Sequence, residues 1–171
     1  WLPEKQREIF DKHLALTETS PTGERDRLAG ITHVIWPEAA MPFLPLEHES
    51  ALDAIGALLP DGTTLVSGAL RREIDAAGRQ RGFNSIMAFD SQGKLAATYD
   101  KTHLVPFGEY LPLEPLLSAL GLSKLTHGLG AFDTGPEPRP LFAVPGLPPA
   151  GGLICYEVLF PGAVAGVRRP D

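Results

Sequence analysis

The stretch Phe83–Tyr99, FNSIMAFDSQGKLAATY, decides how this chain folds. Residues 83–89 and 94–99 read as two strands. Between them, Asp90-Ser91-Gln92-Gly93 supplies the residue types that a four-residue hairpin loop favours. Moving outward, Thr63–Ser67 follows the turn signal Asp61-Gly62 and is expected to be another strand, as is the β-branched run Thr32–Ile35. Leu141–Val144 and Gly152–Cys155 complete the strand set. Pro3 to about Thr19 has the proline of a first helical turn and places Ile9, Phe10, His13 and Leu14 on one face. Glu47–Leu59 is a second helix, with Leu52, Ile55, Leu58 and Leu59 on its apolar side. A short helix is expected over Leu113–Leu120, a loop over Ser123–Pro140, and a short Gly-interrupted helix after Pro161. Helices alternating with strands make the class α/β.

A chain of 171 residues with 43% hydrophobic and 21% charged residues holds one globular domain with a sizeable core. The net charge of −6 and the lack of a basic run disfavour nucleic acid as a partner, because phosphate neutralisation needs clustered Lys and Arg. No apolar run reaches the roughly 18 residues of a membrane span. Prolines, glycines and Glu157 interrupt the most apolar segment, 141–167. The chain begins at Trp1 rather than Met and stops at Asp171 directly after that segment. Residues 1–171 are therefore expected to be part of one domain from a longer protein, incomplete at both ends.

Three polar groups each follow a strand-like run: Glu38 after Trp36-Pro37, Lys101 after Tyr99-Asp100, and Cys155 after Gly151-Gly152-Leu153-Ile154. In open α/β sheets, sites form at the carboxyl ends of strands, so one crevice can receive all three. A single cysteine forms no internal disulfide, and most lone cysteines are buried core residues. Beside a carboxylate and an ammonium, however, the thiol becomes a candidate nucleophile. Glu38 would take the thiol proton if burial raises its pKa. Cys155 would attack a carbonyl carbon and form a thioester. Lys101 and a backbone N–H near Tyr156 would stabilise the oxyanion. Such acyl transfer needs neither metal nor organic cofactor. His103 and His127 lack the companions of a metal site, and His103 is expected to be a structural donor beside the lysine.

The segments around the trio carry a further signal. Trp36-Pro37-Glu38-Ala39-Ala40-Met41-Pro42, the fourteen residues Tyr99–Pro112 (YDKTHLVPFGEYLP) and Ile154-Cys155-Tyr156-Glu157 resemble the nitrilase superfamily and, within it, the bacterial apolipoprotein N-acyltransferases. The resemblance implies an α-β-β-α sandwich and a catalytic triad of Glu38, Lys101 and Cys155. It also implies supporting roles for Glu109, as a second glutamate holding Lys101, and for Tyr156 and Glu157 beside the nucleophile. Trp1 would lie in the substrate-access region. The implied reaction moves an acyl chain from a phospholipid, through a Cys155 thioester, to the N-terminal S-diacylglyceryl-cysteine of an apolipoprotein. The implied setting is the bacterial inner membrane, with a helical membrane domain ahead of this one and the catalytic domain facing the periplasm. The same triad would also serve a soluble amidase that hydrolyses a carbon–nitrogen bond. A third reading is an incomplete piece whose site residues are present but not held.

Overall fold

The computed structural model describes residues 2–19, 28–38, 40–110 and 131–160. Helix α1 (Pro3–Glu18) precedes strand β1 (His33–Ile35). A 3-10 turn (Pro45–Glu47) leads into α2 (Glu49–Leu58). Three longer strands follow: β2 (Thr64–Ile74), β3 (Gln80–Phe89) and β4 (Leu95–Asp100). A two-residue pair, β5 (Leu141–Phe142) and β6 (Ala150–Gly151), precedes a 3-10 helix at Cys155–Leu159. The helix expected at 113–120, the one after Pro161, Trp1 and His127 lie outside the described residues.

The main sheet has the order β1-β2-β3-β4. Strands β1 and β2 are parallel, with His33 opposite Thr64, and α2 makes the crossover that parallel pairing requires. Strands β2, β3 and β4 are antiparallel neighbours. It follows that β1 and β4 run in the same direction and end at the same edge of the sheet.

The β3–β4 hairpin forms where the sequence predicts it. Asp90 Oδ1 accepts from the N–H groups of Gln92 and Lys94 at 2.8 and 2.9 Å, and Gly93 takes φ +70° to close the turn. The β2–β3 hairpin is not expected from the sequence, yet it uses the same chemistry. Asp75 Oδ1 accepts from Ala77 and Arg79, both at 2.9 Å, and Gly78 sits at φ +77°. Strand β2 also runs well past Ser67, the expected end, because its outer half is a charged ribbon. There Arg71 grips Asp100 through two bonds of 3.1 and 2.7 Å, so ion pairs replace apolar alternation as the cross-strand glue.

Alternation along the inner halves of the strands gives the sheet two apolar faces. Leu65, Ala69, Met87 and Phe89 face α1 and α2 and pack with Phe10, Trp36, Met41, Ala51 and Ile55. Phe10 lies edge-on to Trp36 and to Phe43, with ring centroids 6.0 and 5.3 Å apart. Val66, Ile86, Ala88 and Tyr99 face the other way, against Phe142, Val144 and Ile154. The sheet is thus held between the helices and the segment that carries Cys155. Phe89 is fully buried among the helix-side residues. Phe89→Ala is expected to cost about 3–5 kcal/mol, read as a lower urea midpoint at unchanged slope.

Candidate active site

Cys155 sits at the end of a segment that has little freedom. A Cβ on Gly152 would lie 2.5 Å from the Tyr99 ring, so only glycine lets the chain cross that ring. Ile154 is extended, with φ −115° and ψ 116°, and Cys155 then takes φ +49°. A non-glycine residue in the left-handed region costs about 1–3 kcal/mol and persists only where its surroundings over-determine it. The sequence reading makes 152–155 a strand. In the structure the paired residues are 150–151, and the chain turns into a 3-10 helix at the cysteine. Adjacent glycines and the left-handed residue end the ladder, and the thiol is left exposed on the rim.

The constraint on this turn is Glu157, which is fully buried. One carboxylate oxygen accepts from the N–H groups of Thr102 and His103, both at 3.0 Å, from Thr102 Oγ1 at 3.1 Å and from Arg139 Nη2 at 2.9 Å. The other accepts from Ile154 N–H at 2.8 Å. The Tyr99 hydroxyl donates to both at 3.1 Å. Arg139, itself buried, balances the charge. Burial, with the neighbouring carboxylate, pushes the Tyr99 phenol up to about 12, so it remains a donor at all physiological pH values. Glu157 therefore ties the Cys155 turn to the two residues that follow Lys101. Tyr156 has a different setting: it is exposed and packs edge-on to Phe160, whose ring also lies against His103.

Lys101 lies at the carboxyl end of β4 and is 1% exposed. A buried ammonium needs a partner, and Glu109 supplies both oxygens, at 2.9 and 2.8 Å. Glu109 is carried on a tight loop in which Phe107 N–H donates to Tyr110 O at 2.8 Å. Its carboxylate also accepts from Val105 N–H at 2.8 Å and from Asn84 Nδ2 at 3.2 Å. Burial pushes the Glu109 carboxyl up, but the Lys101 ammonium and these donors outweigh it, so the net shift is below the ordinary glutamate value.

Glu38 follows the carboxyl end of β1. Trp36 N–H donates to Val66 O, and its indole N–H to Thr17 Oγ1, both at 2.9 Å. These bonds bring the next residues over β2. There Gly68 admits the Glu38 backbone, since a Cβ would meet the Glu38 Cα at 2.5 Å. The sequence reading makes burial the condition for a raised Glu38 pKa. The structure leaves Glu38 exposed, with its Oε1 accepting from Asn84 Nδ2 at 3.3 Å. Glu38 and Cys155 line one open crevice of about 230 Å³, whose other walls include Trp36, Val66, Ile86 and Leu153. Lys101 joins them through Glu109 and Asn84 rather than as a wall of that crevice.

Asn84 and Arg139 are absent from the sequence-derived set. Asparagine is depleted in strands, so a carboxamide inside an apolar strand is a signal that could have singled out Asn84. Arg139, between Pro138 and Pro140, carries no such signal.

The carbon-nitrogen hydrolase family model matches residues 10–170. This chain belongs to the carbon-nitrogen hydrolase family. Relatives within it include the apolipoprotein N-acyltransferases of Bradyrhizobium diazoefficiens, 42% identical over 93% of this chain, and of Brucella suis, 41% identical over 94%. The chain spans about 30% of the length of each. Among solved structures, an amidase from Nesterenkonia sp. is 19% identical, with a TM-score of 0.54 over 95% of this chain and 54% of its own. At that identity the likeness concerns the fold alone, a mixed α/β fold.

Two consequences of this geometry are measurable. Glu157→Ala strands Arg139 in the interior, which is expected to cost about 3–5 kcal/mol and to be visible in chemical denaturation. Because the Glu109 pKa is lowered in the folded state, its contribution to stability is present above the ordinary glutamate value. That contribution is lost as pH falls through the folded value. Glu109→Gln should remove this segment of the acid-unfolding profile, measured as stability against pH.

Proposed function

We propose that this chain is part of the catalytic domain of a membrane-associated lipoprotein N-acyltransferase. It would move an acyl chain from a phospholipid to the N-terminal S-diacylglyceryl-cysteine of an apolipoprotein. Identity of 39–42% across more than nine-tenths of the chain to proteins named apolipoprotein N-acyltransferase is the observation that carries this reading. The four-stranded sheet with helices on one face is read as one half of an α-β-β-α sandwich.

The geometry supports a division of labour. Glu38 takes the proton from the Cys155 thiol, and Sγ attacks the ester carbonyl carbon of the phospholipid. Charge develops on the carbonyl oxygen. An ammonium carries three N–H donors; one is bonded to Glu109 Oε1 within the Lys101–Glu109 ion pair, so a donor is left for the oxyanion beside the Tyr156 N–H. Collapse of the tetrahedral intermediate breaks the ester bond. Glu38 returns its proton to the departing lysophospholipid oxygen, leaving an acyl thioester on Cys155. The α-amine of the acceptor cysteine then attacks the thioester carbon and gives a proton to Glu38; the C–S bond breaks, the amide leaves, and Glu38 returns that proton to sulfur, restoring the thiol. The apolar walls of the crevice between Glu38 and Cys155 suit an acyl chain better than a polar amide substrate. The site would face the periplasm beneath a helical domain in the bacterial inner membrane.

On incubation of the intact protein with phosphatidylethanolamine, intact mass is expected to rise by one acyl group in the wild type and not in Cys155→Ser. An acyl adduct that persists in the serine variant removes Cys155 as the acyl carrier. A wild type that turns over small amides and never acquires an acyl group from phospholipid marks an amidase instead.

A further inference from the structure

The polar row across the sheet has a centre that the acyl-transfer chemistry does not use. Glu38 lies over Gly68 of β2, which pairs with Ile86, two residues along β3 from Asn84; Lys101, at the end of β4, lies beside Asn84. Asn84 is opposite Leu70, and its backbone carbonyl accepts from Lys101 N–H at 2.9 Å. The base of this side chain is therefore fixed by ladder contacts on both sides. Its Nδ2 lies 3.3 Å from Glu38 Oε1 and 3.2 Å from Glu109 Oε1. A carboxamide nitrogen has two N–H donors, one for each carboxylate. The opposite amide orientation would set an oxygen against two acceptors. Among the described residues, Asn84 is the only donor to the Glu38 carboxylate.

We propose that Asn84 is the positioning residue of this site: its carboxamide joins Glu38 to the glutamate that holds Lys101, so that base and ammonium are set as one unit. The inference rests on the roles given above to Glu38 and Lys101. Without the clamp, an exposed Glu38 side chain is free to rotate away from the crevice, and Glu109 loses one of the donors that keep it paired with Lys101. A carboxylate at position 84 would be worse than an apolar residue, because it would bring a third negative oxygen pair against two others.

The test uses the intact protein with Asn84→Leu, which keeps the branching at Cγ and loses both donors, and Asn84→Asp, which keeps the shape and reverses the polarity. The Glu109 carboxyl is followed by carbon-13 NMR against pH, assigned with Glu109→Gln. Acylation of Cys155 is followed by intact mass in phosphatidylethanolamine vesicles. The Glu109 midpoint should rise in both variants and further in Asn84→Asp. Acylation should slow by about ten- to a hundredfold in Asn84→Leu and more in Asn84→Asp. The apparent KM for lipid should stay within about twofold. The shape-preserving Asn84→Asp carries the test if Asn84→Leu does not fold. A Glu109 midpoint equal to that of wild type in both variants, with acylation within about twofold, overturns the clamp. A wild type that never acylates refutes the acyl-transfer reading instead, and the Glu109 titration still decides the role of Asn84.

Discussion

The site hangs on one buried carboxylate. Glu157 accepts from the backbone of Ile154, Thr102 and His103, from the Thr102 and Tyr99 hydroxyls and from Arg139. A charge in this interior is tolerable only because each lone-pair direction meets a donor and the cation beside it is buried as well. The consequence is mechanical. Cys155 is held in a left-handed conformation that it would otherwise leave, and the turn that holds it is bonded to the residues that follow Lys101. Nucleophile and ammonium are thus referred to a common point although they are 54 positions apart in the chain.

A second frame lies across the sheet. Because β1 and β4 run the same way, Glu38 and Lys101 leave their strands at the same edge. The two strands between them contribute a glycine that clears space and an asparagine that bridges the gap. Rigid strands on either side of a short polar chain are what set distances at a reacting centre; loops alone would leave them loose.

Much of this was legible in the residues. The β3–β4 hairpin, the helices at both expected places and the strand before Trp36 follow from turn chemistry and periodicity. Glu38, Lys101, Cys155, Glu109 and Glu157 were marked by their neighbours in the chain. The β2–β3 hairpin was missed although Asp75-Ala76-Ala77-Gly78 repeats the Asp-to-Gly spacing of its successor. Charges along its strands hide the apolar alternation by which strands are recognised.

By itself the sequence determined the residue types, the short-range turns and the family, because these depend on neighbours a few positions apart. Only the tertiary structure decided that Glu38 is exposed, that Cys155 is left-handed rather than part of a strand, and that Asn84 and Arg139 belong to the site. Each of these is set by a partner on another strand or segment. Arg139 and Asn84 became site residues because pairing across the fold brought carboxylates to them, and no local pattern encodes which carboxylate a distant donor will meet.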